Sequence, residues 1–151
     1  MPTYLPKRKS VVTVRNEIIS AIKAVAPSYG ASEAADFSTL LEQKDPGYWD
    51  AISPTRHVPN ISQRSLPHFM VRGTKDPIVS HAMVQRYLDA LNSAGQSAQY
   101  IQVEGAGHAF FDWKPDAGTR ATFSKYGVPY ATQMRTFFDN IFFKPDGTRR
   151  D

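Results

Sequence analysis

The sequence predicts an α/β domain in which three to four mostly parallel strands are flanked by helices. Short apolar runs at residues 22–26, 68–72 and 98–103 read as strands. Amphipathic helices at about 80–94 and 129–142 follow the last two runs. The resulting order is strand, helical loop, strand, helix, strand, helix. Such alternation implies βαβ crossovers, which set parallel strands between layers of helices. At 151 residues the chain fits one domain large enough to bury a core.

Residues 1–10 are rich in Pro and Lys/Arg and predict irregular structure. The next ten residues stay open between a strand (Val11, Val12, Val14) and a helix (Glu17, Ile18, Ile19). Residues 1–20 are therefore read as an irregular N-terminal segment, 21–143 as the domain, and 144–151 as a tail. Ile22-Lys23-Ala24-Val25-Ala26, closed by Pro27-Ser28-Tyr29-Gly30, reads as a strand buried on both faces. Residues 31–65 predict loop and short helix, with Asp45-Pro46-Gly47 as a turn and Ser53-Pro54 as a stop.

His68 to Arg72 form the second strand, broken at Gly73. In the helix after it, Val84, Tyr87, Leu88 and Leu91 fall on one face, and Gly95 is placed to end it. Tyr100-Ile101-Gln102-Val103 completes the third strand. Residues 112–127 read as a polar, insertion-like loop. The last helix starts at Pro129, a residue suited to a first helical position. It carries the apolar stripe Met134, Phe137, Phe138, Ile141 and Phe142.

Charge argues against a nucleic-acid partner. Of 18 Lys and Arg, six lie in residues 1–9 and 144–151, as do two of 14 Asp and Glu. The interior is thus neutral, with 12 of each, whereas a nucleic-acid binder gathers basic residues on a folded face. With no cysteine, disulfides and thiolate chemistry are excluded. No stretch approaches the roughly 18 apolar residues of a membrane span. Val11-Val12-Thr13-Val14-Arg15 is too short for the apolar region of a signal peptide, and the compartment is left open. The four histidines, His57, His68, His81 and His108, lack metal-ligand spacing, and no phosphate-binding glycine loop occurs. No metal or cofactor is expected.

In open parallel sheets the functional loops lie at the carboxyl ends of strands. Asp76 follows the second strand and His108 the third, 32 positions later. A helical crossover returns the chain to the same end of the sheet, so the two loops emerge side by side. A carboxylate there can fix the imidazole tautomer and stabilise its protonated form. Asp76 and His108 are the candidate catalytic residues.

The segment from about Ser53 to Phe142 resembles the C-terminal part of α/β-hydrolases of the esterase/lipase group. Within that group it is similar to the dienelactone-hydrolase-like, acetyl-xylan-esterase-like and prolyl-oligopeptidase-like branches. The motifs are Arg72-Gly73-Thr74-Lys75-Asp76-Pro77-Ile78-Val79, where HGxxDxxV is common, and Gly105-Ala106-Gly107-His108-Ala109-Phe110, where GxGHxF is common. The resemblance implies a partial α/β-hydrolase fold and a carboxylic ester hydrolase acting on a small-molecule ester. Asp76 and His108 would be two members of its triad. Phe110, Phe111 and Trp113 would then line a substrate pocket or cover the end of the sheet. Tyr48 and Trp49 fall where such enzymes place cap elements.

The third member of the triad is missing. The family's serine sits on a GxSxG elbow, and no GxSxG occurs here. Ser10 and Ser28 are the serines nearest to a suitable place. Ser28 follows a strand, but Pro27 precedes it, and a plain turn role fits it better. The alternative is a truncated or non-catalytic relative serving as an interaction module, with a homodimer completing the sheet.

Overall fold

The computed structural model describes residues 20–37, 45–61 and 64–150. The expected N-terminal segment, and Ser10 with it, lies outside the described residues except for Ser20. Strand β1 is His68–Gly73 and strand β2 is Ala98–Val103. They pair in parallel from His68 opposite Ala98 to Gly73 opposite Val103.

The expected strand at 22–26 is reduced to two isolated parallel bridges on β1, Val25 to His68 and Ser28 to Val71. Backbone hydrogen bonds run from Val25 N to Pro67 O (3.0 Å), Phe69 N to Val25 O (2.9 Å) and Tyr29 N to Val71 O (2.9 Å). Pro27 stands between these contacts and has no N–H to donate, so the ladder is interrupted at its middle. The spatial order is therefore residues 25–28, then β1, then β2.

All six β1 residues are buried, and alternate side chains serve opposite faces. Met70 joins Val58, Val79 and the buried face of the His81–Ser93 helix. Phe69 and Val71 join Ala106, Phe110, Tyr130 and Phe137 on the other side. That two-sided burial is what a continuous apolar strand between helical layers requires.

The His81–Ser93 helix follows its pattern closely, with Val84, Tyr87, Leu88 and Leu91 all buried. Ser80 caps it by accepting from Met83 N at 3.1 Å. Gly95 lies just past its end with φ +69°. The Val128–Phe142 helix packs its stripe inward: Phe137 is buried, and Met134, Phe138 and Ile141 pack against the same cluster. Among the described residues no helix is long and apolar enough to cross a membrane.

One expectation is corrected. The loop expected at 112–127 contains a helix, Ala117–Thr122, and a π-helical turn, Phe123–Gly127, leading into the last helix. Asp116 starts it, accepting from Thr119 N at 2.8 Å. The C-terminal tail closes as a small hairpin: Lys144 N donates to Thr148 O (2.7 Å) and Arg150 N to Phe142 O (2.8 Å). Asp146 turns it by accepting from Thr148 N at 2.9 Å.

Candidate active site

The acid loop and the histidine loop leave β1 and β2 at the same end of the sheet and are stitched together. Thr74 N donates to Val103 O (3.0 Å) and Lys75 N to Ala106 O (2.9 Å). Gly105 N donates to the Thr74 hydroxyl at 2.8 Å. The close approach requires Gly73. A Cβ there would lie 2.2 Å from Ala106 O and 2.7 Å from Gly107 O, separations that no packed carbon and oxygen tolerate.

This stitching brings Asp76 and His108 together, with Asp76 Oδ2 2.9 Å from His108 Nδ1. The Asp76 side chain is fully buried, while that of His108 is 29% exposed. Asp76 Oδ1 accepts from Ile78 N (2.8 Å) and Val79 N (2.9 Å). Burial alone would push the Asp76 carboxyl up. The hydrogen bonds from Val79 N, His108 and Ile78 N outweigh it and hold the group below its ordinary range. The result is an anchored carboxylate presenting one oxygen to an imidazole whose other nitrogen, Nε2, has no hydrogen-bond partner among the described residues.

Arg72 supports the acid from beneath. It is buried, its Nε donates to Val79 O, and its Nη2 donates to Asp76 O at 3.0 Å. One planar guanidinium thus spans both ends of the Asp76–Val79 turn. Sequence reasoning noted the arginine without seeing this role.

Tyr29 packs against the histidine. Its ring meets that of His108 edge-on, with centroids 5.0 Å apart at 60°, and meets Phe110 at 5.6 Å. Its hydroxyl donates to Asp112 Oδ1 at 2.5 Å. Burial first, then the bond to Asp112, pushes the phenol well above its usual range, so it stays a donor. Sequence reasoning missed this contact, which joins residues 83 positions apart.

The other candidates separate clearly. Ser28 Oγ is 2.7 Å from the Tyr130 hydroxyl, and no hydrogen bond joins it to His108. Phe110 is in the core and Trp113 is 61% exposed, so Phe110 covers the sheet end while Trp113 stands clear of it. Trp49 is buried and Tyr48 exposed on the Pro46–Ile52 helix. His68 is a core residue: its Nδ1 lies 2.7 Å from Leu66 O and its Nε2 3.3 Å from the Tyr87 hydroxyl. Among the described residues no three His, Asp or Glu side chains gather as metal ligands. His108 opens onto a cleft of about 430 Å³ shared with Ala109, Asp112, Lys114, Asp116, Gly118, Thr119 and Thr122.

The family model for the dienelactone hydrolase family matches residues 10–135. The chain belongs to the dienelactone hydrolase family. Among curated proteins it is 28% identical over 107 residues to esterase LipQ of Mycobacterium tuberculosis, covering 60% of this chain and 25% of that protein. It is 32% identical over 68 residues to the non-reducing polyketide synthase Preu6 of Preussia isomera, covering 44% of this chain and 3% of the synthase. Among solved structures it is similar to the apo form of Thermogutta terrifontis esterase 2. That match has a TM-score of 0.57 and 19% identity, and covers 93% of this chain and 49% of that one.

The structural likeness establishes the fold: a partial α/β-hydrolase fold with a small parallel sheet between helices. This dienelactone hydrolase family member is thus a relative of esterases. It spans about a quarter of the length of LipQ and half that of the Thermogutta esterase.

Proposed function

We propose that Asp76 and His108 are the acid and the base of a serine-type carboxylic ester hydrolase. The observation that carries the reading is the 2.9 Å contact between a buried, anchored carboxylate and Nδ1 of a partly exposed imidazole. Asp76 fixes the tautomer with the proton on Nδ1. Nε2 then takes the proton of an attacking hydroxyl and returns it to the leaving alcohol.

The attacking serine is not one of those seen at this site. The sequence contains no GxSxG elbow, and the Ser28 hydroxyl is engaged with Tyr130. In the complete reaction a serine would attack the ester carbonyl and backbone N–H groups beside it would hold the oxyanion; the GxSxG motif that usually carries both is absent from this sequence. The substrate is a small-molecule ester.

The test is hydrolysis of an activated ester, p-nitrophenyl acetate, which imidazole can attack without a serine. We expect weak turnover, on the order of 10⁶ below that of an intact serine hydrolase, and its loss in His108→Ala. Equal rates in the two proteins overturn the reading. Fluorophosphonate labelling followed by intact mass is expected to leave the chain unmodified; an adduct on Ser28 would restore that residue as the nucleophile.

One observation favours a second reading, a non-catalytic relative that pairs with another copy. Residues 25–28 have β1 as their strand neighbour on one side, and among the described residues no strand lies on the other. Light scattering after size exclusion decides this: a dimer supports it and a monomer removes it. The apolar stripe of the last helix gives it no support, because that stripe packs on the chain's own core.

A further inference from the structure

We propose that Tyr29 is a positioning residue for His108: its ring, pinned by Asp112, holds the imidazole in the rotamer that faces Asp76 and leaves Nε2 open. The inference rests on the Asp76–His108 reading above and adds a second support, an aromatic ring packed on the imidazole.

Three observations converge on this clasp. The first is the edge-on contact between Tyr29 and His108 at 5.0 Å. The hydrogen bond that His108 Nδ1 donates to Asp76 fixes one ring atom, but it leaves the imidazole free to swing about that contact. An aromatic ring against its flank removes the swing, and edge-on pairs of this kind are attractive in themselves.

The second is the 2.5 Å bond from the Tyr29 hydroxyl to Asp112 Oδ1. Asp112 lies four residues after His108, in the same loop, and the loop is itself braced by Asp112 N donating to Ala109 O at 3.0 Å. Tyr29 thus connects the end of the 25–28 segment to the loop that carries the histidine. Without Asp112 the phenol ring would keep its contact with Phe110 but lose the anchor at its tip.

The third is backbone strain. Among the described residues two that are not glycine have positive φ: Tyr29 at 42° and Ala109 at 58°. Left-handed backbone is unfavourable for an L-residue, whose Cβ then crowds the following carbonyl oxygen. Both positions flank His108, one through its ring and one as its chain neighbour. Strain of this kind persists where surrounding contacts over-determine the local geometry, and it tends to gather at functional sites. At Tyr29 a glycine would relieve the backbone but remove the ring, so the strain is retained together with the contact.

The experiment reads the proton on His108 Nδ1, which gives its own downfield line in the proton spectrum when it is held by Asp76. We expect the line in the unmodified chain. Tyr29→Phe and Asp112→Ala should each speed its exchange about fivefold. The double variant should match the single ones, because all break the same bond. Tyr29→Phe keeps the ring and fills the same space, and Asp112→Ala changes an exposed loop, so two independent variants report on a folded chain. Unchanged exchange in both overturns the proposal while leaving the Asp76–His108 pair intact. If the line is missing from the unmodified chain, the pair itself fails and the clasp fails with it. A merely structural role for Tyr29 would lower the unfolding midpoint without moving this proton.

Discussion

Gly73 lies so close beneath Ala106 that a Cβ on it would meet the Ala106 carbonyl oxygen at 2.2 Å. This contact sets the separation of the two loops, and through it the distance between Asp76 and His108. Gly73→Ala cannot be absorbed by a side-chain rotation, because the obstacle is backbone. We expect a loss of about 3 kcal/mol in urea unfolding, the upper range for overpacking. The Nδ1 proton line of His108 should vanish in the same variant under native conditions. A variant of unchanged stability that kept that line would show that the loops can part without losing the pair.

Asp76 holds three donors: His108, Ile78 N and Val79 N. Asp76→Ala strands all three, and we expect a cost of about 3 kcal/mol, since each unmet buried donor is worth roughly 1–3 kcal/mol. Asp76→Asn keeps an acceptor and should cost less. The pH dependence has a definite sign. The folded carboxyl titrates below its ordinary value of 3.8, so its stabilising contribution is complete above that value. It is lost as pH falls through the lower, folded pKa. Denaturant midpoints measured from pH 6 down to pH 2 should therefore fall less steeply in Asp76→Asn than in the unmodified chain.

The pair was legible in the sequence because topology alone delivers it: consecutive parallel strands return their C-terminal loops to one edge. The His81–Ser93 helix was legible because its apolar residues keep a helical period. What escaped depends on contacts between distant positions. Tyr29 meets Asp112 across 83 positions, and Ser28 meets Tyr130 across 102; neither leaves a local pattern. Other features left signals that were readable. Pro27 announced the broken ladder at 25–28, and Asp146-Gly147 announced the C-terminal turn. The Ala117–Thr122 helix is short and has no buried residue, so it has no apolar stripe, but Asp116 was available as its cap.

Arg72 is expected to control the shape of the acid loop through its two carbonyl contacts, Val79 O and Asp76 O. Lysine offers a single ammonium and cannot span both ends of the turn. In Arg72→Lys the Ile78 and Val79 amides, which point at Asp76 Oδ1, should exchange with solvent about tenfold faster, equivalent to about 1.4 kcal/mol. Amide exchange followed by NMR measures this directly. Protection equal to that of the unmodified chain would mean that the turn holds its shape without the guanidinium.

His68 supplies a second pH dependence, distinct from that of Asp76. Burial lowers its pKa, and the backbone contact at Leu66 O only partly opposes this. The folded chain therefore keeps His68 neutral, whereas the unfolded chain titrates near 6.5. As pH drops below 6.5, the unfolded state takes up the proton first, so stability declines from there towards the folded pKa. Above 6.5 the contribution is constant. His68→Gln cannot protonate and retains groups able to meet Leu66 O and the Tyr87 hydroxyl. Its stability should therefore be flatter with pH just below 6.5, although its midpoint at pH 8 is lower. Unfolding midpoints taken between pH 8 and pH 5 separate this histidine from Asp76, whose effect begins only in more acidic solution. A profile for His68→Gln with the same slope as the unmodified chain would assign the decline to another group.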